Sequence, residues 1–176
     1  MPNDTRPGGR IGAVNNEQKT DREVHVPVSH NPDRMLAVVG FDGSEPAYRA
    51  LDAAKRLITG RVGSIEVVYV AHMPVGTEMS ADAGVEMRQG FDEAEHEFAS
   101  AVRARMEAEQ RWHFQRRDGG IAHELSVVAD ELRRDYGDDS NVVIIVGSAA
   151  QSYHHVLGSV PVALVRHAKY PIVVVP

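Results

Sequence analysis

"MLAVVGFDGSEPAYRALDAAKRLI", Met35 to Ile58, is the stretch that decides the fold. Its first five residues, Met35 to Val39, are an unbroken apolar run. Such a run predicts a short strand covered on both faces. "GFDGSEP", Gly40 to Pro46, then has the composition of a tight turn. Within it Ser44 is placed to cap a helix, with Pro46 in the first turn, where a missing N–H costs nothing. Ala47, Ala50, Leu51, Ala54, Leu57 and Ile58 recur on one helical face, and Gly60 and Gly63 end the helix. Strand, turn and amphipathic helix make one βα unit.

The rest of the chain repeats that unit. "IEVVYVA", Ile65 to Ala71, is a second β-branched strand. Residues 72–84 have no periodicity and predict a loop. A long helix is expected over about 85–110, with Phe91, Ala94, Phe98, Val102 and Met106 on its apolar face. "WHFQRR", Trp112 to Arg117, alternates and predicts an edge strand with Trp112 and Phe114 turned to the core. Asp118-Gly119-Gly120 turns the chain. Ile121, Leu125, Val128, Ala129 and Leu132 then mark the next helix, and "NVVIIV", Asn141 to Val146, is the most strongly buried strand candidate. A turn, a helix near 160–167 and the strand "PIVVVP", Pro171 to Pro176, complete the series. The alternation predicts an α/β fold, a single Rossmann-like, doubly wound, five-stranded parallel sheet with helices on both faces. In such sheets ligands bind beyond the C-terminal strand ends, where strand order reverses. Two glycine-containing turns, Gly40 to Gly43 and Gly147 to Gly158, follow strands one and four.

Residues 1–34 differ. Only seven of these 34 are apolar, against five acidic and five basic residues, so the segment cannot bury enough surface to offset its ordering entropy. It is expected to be a flexible extension preceding a domain over 35–176. "VHVPV", Val24 to Val28, alternates and could add to a sheet edge, although Pro27 argues against a central strand.

Composition excludes several classes. At 176 residues the chain suits one domain with a substantial core. Its net charge of −6 lacks the basic excess of a nonspecific nucleic-acid binder. Without cysteine it has no disulfide, thiolate metal site or thiol nucleophile, in keeping with a reducing compartment. No apolar run approaches the roughly 20 residues of a membrane span, and no secretory leader is visible. The expectation is a cytoplasmic protein with neither a nucleic-acid nor a membrane partner.

Two stretches could carry chemistry. Asp42, just past strand one, could accept hydrogen bonds from a ribose hydroxyl pair, help hold a metal, or simply cap its own turn. In "VGSAAQSYHHVLGSV", Val146 to Val160, Gly147 could let the backbone approach a ligand, while Gly158-Ser159 opens a helix whose N–H groups attract anions. The plainer alternative is a tight turn and a helix cap. His154 and His155 lack a third metal ligand at a recognisable spacing, so no metal site is assigned. There is no G-x-S-x-G elbow, and these two histidines are the sole candidate bases in the loop, so a binding module is expected, slow ATP hydrolysis is left open, and no catalytic residue is assigned.

"AVVGFDGSEPAYRALDAAKRL" and "VVIIVGSAAQSYHHVLGSVPVALVRHAKYPIVVVP" resemble the two ends of the universal stress protein domain. "IEVVYVAH" and "DGGIAHELSVVADEL" fit its middle more loosely. The resemblance spans about 35–176. It implies a stress-response regulator of the adenine-nucleotide α-hydrolase-like superfamily that binds ATP or a related adenine nucleotide. Carried over, Phe41 and Asp42 would lie at the ribose and adenine, Val70 at the end of strand two, Gly147 and Ser148 at the start of the phosphate loop, and Gly158, Ser159 and Val160 at its end. The family usually dimerises through the last strand, which implies a homodimer through residues 171–176. The sequence departs from the family's G-x2-G-x9-G-[S/T] loop. Ala150 stands at the second glycine, and seven residues rather than nine separate it from Gly158. No Lys or Arg lies between Gly147 and Ser159, which leaves backbone amides, the helix dipole and, as one option, Mg²⁺ to balance a triphosphate. A ligand with fewer phosphates, such as AMP or cyclic AMP, is admitted. The alternative is a dimeric scaffold of the same fold that binds no nucleotide and acts through protein partners.

Overall fold

The continuous apolar run at the start of the domain becomes the centre of the sheet. In a computed structural model, which describes residues 33–72, 81–109, 111–137, 140–148 and 159–176, β1 (Met35–Gly40) lies between β2 (Gly63–Ala71) and β4 (Asn141–Gly147). β3 (Trp112–Asp118) forms one edge and β5 (Ile172–Val175) the other, giving the order β3-β2-β1-β4-β5. All four pairings are parallel; Val39 faces Val67 on one side and Ile145 on the other. The helices are α1 (Glu45–Ile58), α2 (Ala81–Met106), α3 (Ile121–Tyr136) and α4 (Ser159–Arg166). The expected doubly wound sheet is therefore present, and no helix among the described residues is long and apolar enough to cross a membrane.

Strand alternation sorts the core into two layers. Ala37 and Val39 of β1 pack with Ala47, Ala50, Leu51 and Ala54 of α1 and with Val102 and Met106 of α2. Leu36 and Val38 face the other way, onto Leu125, Val128, Ala129 and Leu132 of α3 and Leu164 of α4. α1 starts as its sequence prescribes. Ser44 Oγ accepts the Ala47 N–H at 3.3 Å, and Pro46 sits in the first turn.

α2 differs from its expected span. It begins at Ala81, inside the segment read as a loop, and ends at Met106, short of 110. The physical reason is that the apolar period follows burial, and only the second half of this helix is buried. Val102 and Met106 are fully enclosed, whereas Val85 is 52% exposed, and a side chain at Gly84 or Gly90 would meet nothing within 4 Å. The middle of the helix is tethered by charge instead. Arg116 of β3 reaches Asp92 at 2.5 Å and Glu95 at 3.3 Å, with its guanidinium 5.8 Å from the centre of the Phe91 ring.

The two edges are protected differently. On β3, Trp112 and Phe114 pack against the α1/α2 layer, as their alternation predicts. The opposite face carries a polar network that satisfies the buried Glu66. His113 Nδ1 lies 3.0 Å from Glu66 Oε1, and Gln115 Nε2 donates to Oε2 at 3.1 Å. Arg117 joins Gln115 to Glu131 of α3. The chain entering β5 is pinned by Asp130 of α3, which accepts from Tyr170 Oη at 2.6 Å and from Lys169 Nζ at 3.0 Å.

The Tyr170 hydroxyl first, and the Lys169 ammonium second, hold the Asp130 carboxyl below its ordinary value. A carboxyl depressed in the folded state adds stability that is fully present above the unfolded carboxyl pKa of about 4 and disappears as pH falls through the lower folded value. Urea unfolding of the wild type and Asp130→Asn should therefore show a constant gap at neutral pH that narrows below about pH 4. A gap that stays the same down to acid unfolding would count against this contact.

Candidate functional site: the cleft between strands one and four

The chain lays β1, β2 and β3 outward in one direction and then returns across β1 to lay β4 and β5. The connections leaving β1 and β4 therefore part to opposite sides, and a cleft of about 200 Å³ opens at their C-terminal ends. Six of the residues singled out in the sequence line it: Phe41, Asp42, Val70, Gly147, Ser148 and Val160. Ser159 opens α4, and its side chain lies outside the described residues, as do Gly158, Ala150, His154 and His155.

The contacts of these residues sharpen their roles. Asp42 is exposed and its Oδ1 accepts the Ser44 N–H at 3.0 Å, so the turn-capping contact is present. Its second carboxylate oxygen has no hydrogen-bond partner among the described residues. Phe41 borders the cleft, but its ring is 3% exposed and meets Tyr48 edge-on at 5.1 Å and Phe98 at 5.7 Å. Val70 and Val68 share one face of β2 and form an apolar wall.

At the end of β4 the residues serve packing. A Cβ at Gly147 would lie 2.6 Å from both the carbonyl carbon and the Cβ of Pro46 and 2.9 Å from the Ala47 nitrogen. Its bare backbone is therefore what lets the first turn of α1 approach the sheet. The Ser148 N–H donates to the Val175 carbonyl at 2.7 Å, which ties this end of β4 to β5.

Val68, Ile121 and Leu125 also wall the cleft, and the sequence marks them only as a strand residue and two positions on a helical face. The period of two on β2 carries the signal for Val68, since it must share the face of Val70. For Ile121 the signal is the Asp118-Gly119-Gly120 turn, which opens at the same sheet end as the other two βα turns. Among the described lining residues Asp42 is the sole charged group. No group of three His, Asp or Glu side chains able to hold a metal occurs among the described residues.

Sheet order, helices on both faces and a switch-point cleft together define a Rossmann-like α/β domain with a cleft at its strand ends. Residues 35–176 match the Universal stress protein family, and the chain belongs to that family. The structure is similar to the universal stress protein UspA from Lactobacillus plantarum, at TM-score 0.63 and 17% identity over 81% of this chain and 97% of that one. It is also similar to a universal stress protein in complex with cAMP, at TM-score 0.53 and 21% identity over 81% and 97% of the two chains. A universal stress protein from Archaeoglobus fulgidus in complex with dAMP matches at TM-score 0.50 and 21% identity, over 81% of this chain and 98% of that one. The sequence has no significant match among curated proteins.

Proposed function

We propose that this universal stress protein is a cytoplasmic stress-response regulator that binds an adenine nucleotide in the β1/β4 cleft, acting by binding rather than catalysis. The observation that carries this reading is the convergence of Phe41, Asp42, Val70, Gly147, Ser148 and Val160 around one cleft at the reversal of strand order. The unengaged oxygen of Asp42 suits a ribose hydroxyl, and Val68 and Val70 suit the flat face of a base. A similar fold is known with cAMP and another with dAMP. The single acidic charge on the described walls and the absence of Lys or Arg from Gly147 to Ser159 favour one phosphate over three. Asp42 is the one anionic oxygen donor there, so Mg²⁺ would have to arrive with a polyphosphate. The domain runs over 35–176, with 1–34 as an extension to it.

Calorimetry with ATP, AMP and cyclic AMP tests this. AMP or cyclic AMP should bind more tightly than ATP. Asp42→Ala should weaken binding by about tenfold or more, the value of a hydrogen bond to a charged group. No heat and no thermal shift with any of the three at millimolar concentration would overturn the reading.

One observation favours the scaffold alternative. Gly147 and the Ser148 N–H, the start of the family's phosphate loop, are both engaged in packing against α1 and β5. Retention of cellular function by Asp42→Ala would select it. Both readings include a symmetric homodimer through β5, supported by its outer edge, which no strand pairs among the described residues, and by the exposure of Val173 and of Val165 on α4. Sedimentation at micromolar concentration should give a dimer mass, and Val173→Asp a monomer. A monomeric wild type would exclude it.

A further inference from the structure

The turn that carries Asp42 is braced from outside. Gly43 has φ +77°, in the left-handed region, and its open side is filled by an aromatic ring from another part of the chain. A Cβ built at Gly43 would overlap Cε1 of Phe98 and lie 3.0 Å from its Cζ. The same ring meets Phe41 edge-on at 5.7 Å and Tyr69 at 5.1 Å. The residues on both sides of Asp42 are thus packed by one side chain, which belongs to α2 and does not line the cleft. Asp42 itself is exposed and, among the described residues, makes one hydrogen bond, within its own turn.

We propose that Phe98 is a positioning residue for the nucleotide site, fixing the Asp42 carboxylate through Gly43 and Phe41 without touching the ligand. This rests on the nucleotide reading above. A carboxylate on a turn with one internal hydrogen bond samples many directions, and a ligand that needs it in one place must order the turn on binding. The Phe98 ring does that ordering beforehand. Its position makes the role separable from the stability of α2. The buried anchors of that helix, Val102 and Met106, lie beyond it, one and two turns further along.

The test compares Phe98→Leu with Val102→Ala, a second truncation in the same helix, and with Phe98→Tyr, which keeps the ring. Two readouts are taken. One is calorimetric affinity for AMP and cyclic AMP. The other is hydrogen exchange at the Ser44 amide, which Asp42 Oδ1 accepts. Phe98→Leu should weaken nucleotide affinity by about tenfold, the scale of ordering a side chain and its turn on binding. It should also speed exchange at Ser44 while leaving Val39 in β1 protected. Val102→Ala should lower Tm yet leave both readouts at wild-type values, and Phe98→Tyr should restore both. If Phe98→Leu and Val102→Ala shift the readouts equally, or neither shifts them, the positioning role is wrong. A wild type silent to both nucleotides overturns the functional reading instead, and the bracing of the turn then stands or falls on Ser44 exchange.

Discussion

Gly147→Val is expected to destabilise the domain by about 3 kcal/mol, at the upper end of overpacking costs, because there is no direction in which the new side chain can relax. Non-bonded carbons need about 3.5–4.0 Å. The Cβ alone would stand 2.6 Å from two atoms of Pro46 and 2.9 Å from the Ala47 nitrogen. Two of those three are backbone atoms in the capped first turn of α1, so they move only if the helix moves. The helix is in turn held by Ala47, Ala50, Leu51, Ala54 and Ile58, all buried. Urea unfolding should show a lower midpoint at unchanged slope, with Gly147→Ala losing less than valine. A loss below about 0.5 kcal/mol, the range of ordinary surface substitutions, would refute the close approach. Nucleotide binding lost in either variant would not by itself identify Gly147 as a phosphate contact, because Ala47 of α1 and its cap Ser44 also line the cleft.

The second large effect is expected at Leu125. Its side chain is fully buried between α3 and β1, and a Cβ on Gly40 would already lie 3.1 Å from its Cδ1. Leu125→Ala removes three carbons from the α3/α4 layer and leaves a cavity that opens toward the cleft. A loss of about 3 kcal/mol is expected for such a truncation, or roughly 10 °C in Tm for a domain of this size. The cleft wall recedes at the same time, so any nucleotide that binds should bind more weakly even where the variant remains folded. Differential scanning calorimetry with and without AMP separates the two effects. A Tm change under about 2 °C would mean that α3 is not anchored at this residue.

Most of the sheet was legible because buried strands and helix faces leave a period in the sequence. Met35 to Val39, Asn141 to Val146 and the Leu125–Val128–Leu132 face are cases where residue type and burial coincide. Ser44 and Pro46 were legible because caps are written in local chemistry. What escaped is what burial period does not record. The middle of α2 is held by Arg116, and nothing in its own residues announces a partner on β3. The hydrogen bond from Ser148 to Val175 is made by backbone and is invisible to residue identity. Gly147 was recognised as a place of close approach, but a glycine cannot say whether it admits a ligand or a helix. Phe98 was read as core, and its contact with Gly43 joins two elements that no local pattern connects.

α2 is consequently two helices in one. Val102 and Met106 anchor its last turns by excluding water, whereas Arg116 holds its middle through Asp92 and Glu95, whose side chains stand 70% and 43% open to solvent. Ions in solution reach the second kind of bond and not the first, since exposed charges are screened over about 8 Å at physiological ionic strength. Rising ionic strength therefore loosens the hold of Arg116 on this helix, and with it the Arg105–Asp52 pair near its end, while leaving the packing of Val102 and Met106 in place.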